Sequence, residues 1–423
     1  MGRFRVCDVN DLFSMTGGGI RRYHLEKLRF FAKRDDLEYH LLIPSDVSRI
    51  EVHGTARIHH VPATKVSSDG YRFMLNPLRL RKVLHSIAPD VVEVGSPYNT
   101  PDWVQFALRG LDCQVVGFWH GNFPVVDLGR VMNKGGPWLG KLGERIGWWW
   151  ARRTYGHFAV TMAATNVMIE ELTANGIQQI RHTPLGCDTK MFHPRFRDPA
   201  LRAQWGAGPD DVVMIWPNRL ATDKNYHLLL QAYELIRTRT ERKPILVVVG
   251  HGKGTAEVQA VAAKYPKEVF YLGYLQNPRD VARIIASADV SAALSPYETF
   301  GLAAVEAMSC GLGLVGAAHM SIGEILAESQ CGIGLKVLSA ETVADAWLQM
   351  LDPERARAFG RRARTEAVAR YSWKATFERI LEVYQEVMQD AARQRLGEST
   401  VPLLAGPDPQ PPPLASPPAY PTA

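Results

Sequence analysis

The chain has 423 residues, 46% of them hydrophobic and 22% charged, with 49 Lys and Arg against 43 Asp and Glu. Such a chain is too long for one core and too apolar to stay disordered, so two or three globular domains are expected. Five scattered cysteines with no Cys-x-x-Cys pair exclude a disulfide framework and a zinc cluster.

The N-terminus lacks the apolar core of a signal peptide and enters a strand-like run at Phe4–Asp8. No stretch approaches the roughly 18 apolar residues of a membrane span. The expectation is a cytoplasmic enzyme with free thiols. After the first strand comes a glycine run ending at Gly18 and Gly19, where a helix is predicted to begin. Further strands are predicted at Tyr39–Ile43, Val91–Val94, Val115–Phe118 and His157–Val160. The second half repeats the pattern at Val212–Trp216, Ile245–Val249, Val269–Leu272 and Leu312–Val315. Continuous Val- and Ile-rich runs separated by helical patterns predict parallel strands buried on both faces, hence doubly wound α/β domains. Pro184–Asp210 holds four prolines and no clear periodicity, so the linker is placed there. The expected division is 1–190 and 191–370, with ligands in a cleft at the strand C-termini. A long amphipathic helix follows within 371–396. The tail 397–423 holds nine of the 27 prolines and is expected to be disordered.

Four segments could carry chemistry. Gly18 and Gly19 would let backbone N–H groups approach a ligand at a helix start. His120 follows a strand and would point into the cleft; the alternative is a satisfied structural histidine. Arg219 and Lys224, also after a strand, suit a diphosphate, the first as a bidentate fork and the second as a point charge. The last segment sets two carboxylates, Glu298 and Glu306, eight positions apart. Between them Phe300, Gly301, Leu302 and Ala303 read as a turn opening a helix, whose N-terminus suits a diphosphate.

This last pattern resembles the Glu-x(7)-Glu signature of the retaining glycosyltransferases of family 4, which have the two-domain GT-B fold. Glu298, Phe300, Gly301, Glu306, Ala307 and Gly311 match it. The resemblance implies two Rossmann-like domains facing across a cleft, with the last helix crossing back onto the first. It implies that Gly18 and Gly19 lie near the donor sugar and phosphates, with His120 and Glu298 on the sugar. Arg219, Lys224 and the amides of Gly301 to Ala303 would stabilise the leaving diphosphate, and Glu306 would hold the ribose. Gly252 and Leu275 match segments near the nucleotide. The family's His is commonly followed by Asp, where this chain has Gly121, and Asn218 and Leu185 replace a glycine and an asparagine of the pattern. No Asp-x-Asp triplet occurs, so no metal and no cofactor are expected; the cations and the helix dipole would take the metal's place.

The acceptor is read from charge. Residues 1–190 carry 24 Lys and Arg against 18 Asp and Glu, while 191–423 carry 25 of each. A basic first half calls for an anionic partner. The most suggestive segment, 134–158, mixes Trp138, Trp148, Trp149, Trp150, Tyr155 and Phe158 with five cations and one acid, Glu144. It predicts peripheral contact with an anionic membrane at its inner face; the alternative is a core helix with buried tryptophans. On this reading a hexose moves from UDP-glucose or UDP-galactose to a lipid such as diacylglycerol. A polyprenyl-linked or soluble saccharide is the alternative acceptor. A sugar-nucleotide epimerase and a non-catalytic binding protein are the alternative classes. No nucleic-acid-binding module is recognisable.

Overall fold

The computed structural model describes residues 3–13, 18–66 and 72–396. In chain order the first half forms β1 (Phe4–Val9), β2 (Leu37–Ser45), β3 (Arg49–His53) and β4 (Ala56–Pro62). A two-stranded ribbon of β5 (Thr64–Lys65) and β6 (Arg72–Phe73) follows. Then come β7 (Val91–Val94), β8 (Gln114–Phe118), β9 (Val160–Ala163) and β10 (Ile180–His182). They build an eight-stranded sheet in the order β10-β9-β8-β7-β1-β2-β4-β3, parallel except for β3. The second half contributes β11 (Val213–Pro217), β12 (Ile245–Val249), β13 (Val269–Gly273), β14 (Val290–Ala293), β15 (Gly313–Ala317) and β16 (Gly332–Leu335). Their order is β13-β12-β11-β14-β15-β16, all parallel. Helices connect most of the parallel strands; β2 and its parallel neighbour β4 are joined through β3 instead. The molecule therefore has two Rossmann-like α/β units.

Strand order fixes where ligands can bind. In the first sheet the chain winds outward from β1 through β2 and β4, then restarts at β7 on the other side. The second sheet does the same at β11 and β14. Such switch points open a crevice at the strand C-termini. The crevice loops start at Asn10 and Gly95 in one unit, and at Asn218 and Leu294 in the other.

Two sequence expectations shift here. The strand expected at His157–Val160 lies at Val160–Ala163, and Phe158 packs instead in the core beside Tyr155. β14 was not expected, because Val290-Ser291-Ala292-Ala293 offers little apolar bulk. Its four residues are nonetheless fully buried at the centre of the sheet, where small side chains let helices approach closely.

The chain returns to the first unit at its end. Cys187 bridges to Ser372, and Gly186 packs so tightly on the Ser372 backbone that an added Cβ would lie 2.4 Å from it. Ser372 caps the helix Trp373–Arg395 through Ala375 N–H. Trp373 and Phe377 then stack, with ring centroids 5.3 Å apart, and Phe377 meets Phe30 and Tyr23 of the first unit. Farther along, Tyr384 donates to Glu93 at 2.6 Å. All five cysteines are unpaired. The tail 397–423, expected to be disordered, lies outside the described residues.

Candidate active site

Between the two switch points lies a cleft of about 200 Å³, lined by Ile20, Gly95, His120, Asp127, Arg219, Lys224 and Glu298 among others. The last three belong to the second unit and the rest to the first. A larger crevice of about 1050 Å³ lies elsewhere, against the helix Pro353–Arg370. Most of its arginines are already committed: Arg202 to Asp289 and the carbonyls of Ser287, Gly208 and Asp211, and Arg364 to the carbonyls of Thr189, Phe192 and Ser309. The smaller cleft has the uncommitted chemistry.

The second unit's wall is built from two loops. After β11, the loop carrying Arg219 and Lys224 is held down by glycines of the neighbouring strand end. A Cβ at Gly250 would lie 2.0 Å from the Asn218 carbonyl oxygen, and one at Gly252 would lie 2.4 Å from that of Leu220. Trp216 Nε1 donates to the Asn218 carbonyl from below. Gly252 therefore acts through packing: its missing side chain lets the Arg219 loop sit close. Lys224 Nζ donates to Glu298 Oε1 at 2.7 Å, and Asp223 lies 3.9 Å away. Arg219 is 64% exposed at the cleft, and among the described residues its one ion pair is with Asp223 at 4.0 Å.

After β14 comes the loop of the paired glutamates. Gly301 has φ +86°, a conformation that favours glycine, and a Cβ there would also meet Ile322 at 2.6 Å. It starts the helix Leu302–Ser309 with no side-chain cap, so the first N–H groups remain available to a ligand. Ser321 holds the Glu298 carbonyl through both its N–H and its hydroxyl. Thr299 donates to the His120 carbonyl at 2.9 Å, tying this loop to the opposite wall. The Phe300 side chain is 3% exposed and packs edge-on against Tyr371, which leaves its backbone as the part open to a ligand. Leu302 and Ala303 are half-buried at the helix start. Leu275 is half-buried and packed on the core beyond β13.

In the first unit, Gly18 caps the helix Gly19–Phe31 and both glycines are exposed. The preceding residues 14–17, including Thr16 and Gly17 of the run, lie outside the described residues. A Cβ on Gly19 would come 2.9 Å from Leu302 Cδ1, so the glycine lets the two helix starts meet. One turn on, Arg22 of the first unit bonds Glu306 of the second and lies over the Phe192 ring; neither residue is among those lining the small cleft. His120 stacks on Phe118 at 4.4 Å and meets the edge of Tyr23 at 4.9 Å. Its Nε2 is buried without a hydrogen-bond partner among the described residues. Burial, reinforced by His24 and Lys27, pushes its pKa well below the usual histidine range. His120 is thus a neutral imidazole with one nitrogen free, suited to a sugar hydroxyl and unsuited to carrying charge.

Three residues escaped the sequence reading. Arg22 is one. Asp127 is another: it accepts from Tyr98 at 2.5 Å, and burial raises its pKa. It sits in a π-helical turn, Pro124–Gly129, a geometry frequent at functional sites. The third, Arg130, reaches from the first unit to Thr222 at 2.5 Å and to Asp223 at 3.8 Å. Pro124 following Phe123 was a local signal for a turn, but nothing in the spacing pointed into the cleft. Among the described residues no group of three or more His, Cys, Asp or Glu is arranged to hold a metal.

Two parallel sheets with facing switch points, and a cation–carboxylate pair beside a bare helix N-terminus, define a glycosyltransferase with the GT-B fold. The fold is that of sucrose-phosphate synthase from Thermosynechococcus elongatus, with a TM-score of 0.73 at 16% identity over 92% of this chain and 100% of the other. It is also that of WaaG, a glycosyltransferase involved in lipopolysaccharide biosynthesis, with a TM-score of 0.66 at 18% identity over 90% and 99%. Residues 17–191 match the model described as Glycosyltransferase Family 4, and residues 198–366 the model described as Glycosyl transferases group 1. The chain belongs to glycosyltransferase family 4. It is 29% identical over 336 residues to a GDP-mannose-dependent alpha-(1-6)-phosphatidylinositol dimannoside mannosyltransferase of Mycobacterium tuberculosis, covering 76% of this chain and 81% of the relative. A GDP-mannose-dependent alpha-mannosyltransferase of Corynebacterium glutamicum is 27% identical over 316 residues, 74% of this chain and 71% of the relative.

Proposed function

We propose that this protein is a retaining, metal-independent mannosyltransferase that moves mannose from GDP-mannose to a membrane glycolipid of the phosphoinositide type. GDP-mannose replaces the UDP-glucose or UDP-galactose expected from the sequence, because the relatives' names specify it. The observation that carries the reaction is the Lys224–Glu298 pair at 2.7 Å, beside an uncapped helix N-terminus and across the cleft from His120.

The chemistry follows from charge. As the bond from the sugar's anomeric carbon to the diphosphate oxygen breaks, negative charge grows on the leaving group and oxocarbenium character on the sugar. Lys224, Arg219 and the N–H groups at Leu302 and Ala303 stabilise the diphosphate. Glu298 orients the sugar and holds Lys224 in place. His120 offers its free nitrogen to a sugar hydroxyl, and Glu306 takes the ribose hydroxyls. The acceptor hydroxyl enters on the face the diphosphate leaves, and the diphosphate oxygen takes its proton. The protein's contribution is positioning and electrostatics. Asp127, on the first unit's wall, orients the acceptor.

The test is a panel of radiolabelled GDP- and UDP-sugars with phosphatidylinositol mannosides or total membrane lipid, with and without EDTA. Label from GDP-mannose entering lipid, indifferent to EDTA and lost in Glu298→Ala, is expected. Transfer from UDP-glucose instead would overturn the donor. Release of an isomeric nucleotide sugar would replace the transferase by an epimerase.

A further inference from the structure

Most surface helices bury large apolar side chains and expose small or charged ones. The helix Pro137–Tyr155 does the reverse over much of its length. Its inner face presents Gly140, Gly143 and Gly147, all buried. A Cβ on Gly143 would lie 2.6 Å from the Leu128 carbonyl oxygen, and one on Gly147 would lie 2.6 Å from Pro124 Cα. The glycines let this helix lie almost backbone to backbone on the π-helical turn that carries Asp127. Trp148 and Tyr155 flank that contact and are buried, with Trp119 stacked on Trp148.

The opposite face carries Trp138 (68% exposed), Leu142 (37%), Ile146 (44%) and Trp149 (55%). Their spacing of four, four and three places them on one stripe of the helix. Cations border the stripe: Lys134, Lys141, Arg145, Arg152 and Arg153 are all exposed. Lys134, Lys141 and Arg145 take part in none of the ion pairs of the described residues, while Arg153 reaches Asp102 at 3.2 Å. The one acid of the helix, Glu144, turns inward, its stem against Gly129, and burial raises its pKa.

We infer that this face docks the enzyme on an anionic lipid surface, the helix lying in the plane of the headgroups. The charge argument selects lipid over a second copy of the chain, since two copies would bring like cations together. Tryptophans with interspersed lysines and arginines suit the boundary between headgroup and acyl chain. The inference deepens the acceptor reading. The same helix is packed on the turn whose Val126 and Asp127 line the cleft, so docking brings a membrane-borne acceptor to the wall assigned to it.

The experiment is co-sedimentation of the full-length protein with vesicles of phosphatidylcholine alone or mixed with phosphatidylglycerol. Sedimentation velocity without lipid and GDP-mannose turnover with a water-soluble mannoside are measured alongside. Binding is expected only to the mixed vesicles, weakening with salt. Lys141→Glu with Arg145→Glu should lower the affinity by on the order of fivefold per cation removed. Trp138→Ser with Trp149→Ser should abolish pelleting at any charge. Both variants alter exposed residues, so their soluble turnover should match the parent. Equal binding to pure phosphatidylcholine, or unchanged binding in either variant, would overturn the inference. A dimer without lipid that the tryptophan variant dissolves would assign the face to a second copy. Soluble turnover reports on the transferase reading separately: its absence in the parent protein condemns that reading whatever the vesicles show.

Discussion

Two lysine–glutamate pairs illustrate how one chemistry serves two purposes. Lys27 lies 2.9 Å from Glu93 with both side chains fully out of solvent. Lys224 lies 2.7 Å from Glu298, with 13% and 19% of the side chains exposed. The first pair is saturated. Lys27 also donates to both oxygens of Asp8 and contacts the Tyr384 hydroxyl at 2.7 Å, while Tyr23 donates to Glu93 and Tyr39 to Asp8. Burial alone would raise both carboxyls. Lys27 and His24 outweigh it at Asp8 and hold that group low, whereas burial and the Asp8 charge push Glu93 up. Such a cluster has nothing left to offer a ligand. The Lys224 ammonium has three donors and, among the described residues, a single carboxylate within hydrogen-bond reach, so it can serve a diphosphate. Saturation, more than residue type, separates a structural pair from one available for catalysis.

The sharpest way to break this contrast is to remove each lysine. Lys27→Ala leaves Asp8 and Glu93 buried without their cation, and a loss of about 3–5 kcal/mol of stability is expected. Because Tyr384 belongs to the returning helix, Trp373–Arg395 should lose protection from amide exchange first. Denaturant unfolding checks the magnitude, and a change within about 0.5 kcal/mol would show that the carboxyls are neutral in the parent protein. Lys224→Ala should do the opposite. Its kcat should fall by about 10²–10³ while stability stays within about 0.5 kcal/mol. A variant with full activity and altered stability would return Lys224 to the structural class.

A third pair falls between these two. Arg22 and Glu306 join the two units with 26% and 9% of the side chains exposed. If Glu306 holds the ribose, the guanidinium occupies the nucleotide's place and must leave when the donor enters. Arg22→Ala should then bind GDP more tightly, by about tenfold if one charge-assisted bond of about 1.4 kcal/mol no longer competes. Titration calorimetry decides. Weaker binding would make Arg22 itself a donor ligand, and unchanged binding would separate Glu306 from the ribose.

These pairs also mark what could be read from the chain. Lys224 and Glu298 stand in segments whose order follows strand, loop and helix, so local pattern and the family resemblance were enough to point both at one cleft, where they meet at 2.7 Å; Glu306 bonds Arg22 instead, a partner no pattern indicated. β11 and β12 were legible because continuous Val and Ile runs fit nothing but a buried strand. β14 was not, since Val290 to Ala293 gains its place from close helix packing that only the assembled sheet creates. The Asp8–Lys27–Glu93–Tyr384 cluster was equally invisible. Its members lie up to 376 positions apart, and isolated charges on helices and strands read as solvated. The tryptophan segment 134–158 was legible in composition alone; which tryptophans face outward depended on where Gly140, Gly143 and Gly147 found a partner.

A last prediction concerns a buried pair of two histidines. His40 on β2 and His59 on β4 share a hydrogen bond of 2.9 Å between Nδ1 and Nε2, so at least one ring must stay neutral to accept it. Burial, then the His59 charge, lowers His40 to about 3, and burial lowers His59 to about 4. Arg57 depresses both, and Glu38, 3.9 Å from His40 Nε2, is too distant to compensate. The sign follows from linkage. The unfolded chain takes up protons near the ordinary histidine value of 6.5, whereas the folded pair refuses them down to about 4 and then about 3. Stability contributed by the neutral pair is therefore complete above pH 6.5 and is lost as the pH falls toward 4. Midpoints of thermal unfolding should drop across that window, and less so in His40→Gln with His59→Gln, which cannot take up these protons in either state. Neutral-pH activity should be unchanged in the variant, because β2 and β4 lie on the far side of β1 from His120. A parallel fall in both proteins would move the acid sensitivity to the Asp8 cluster, where protonating Asp8 removes the counter-charge of Lys27.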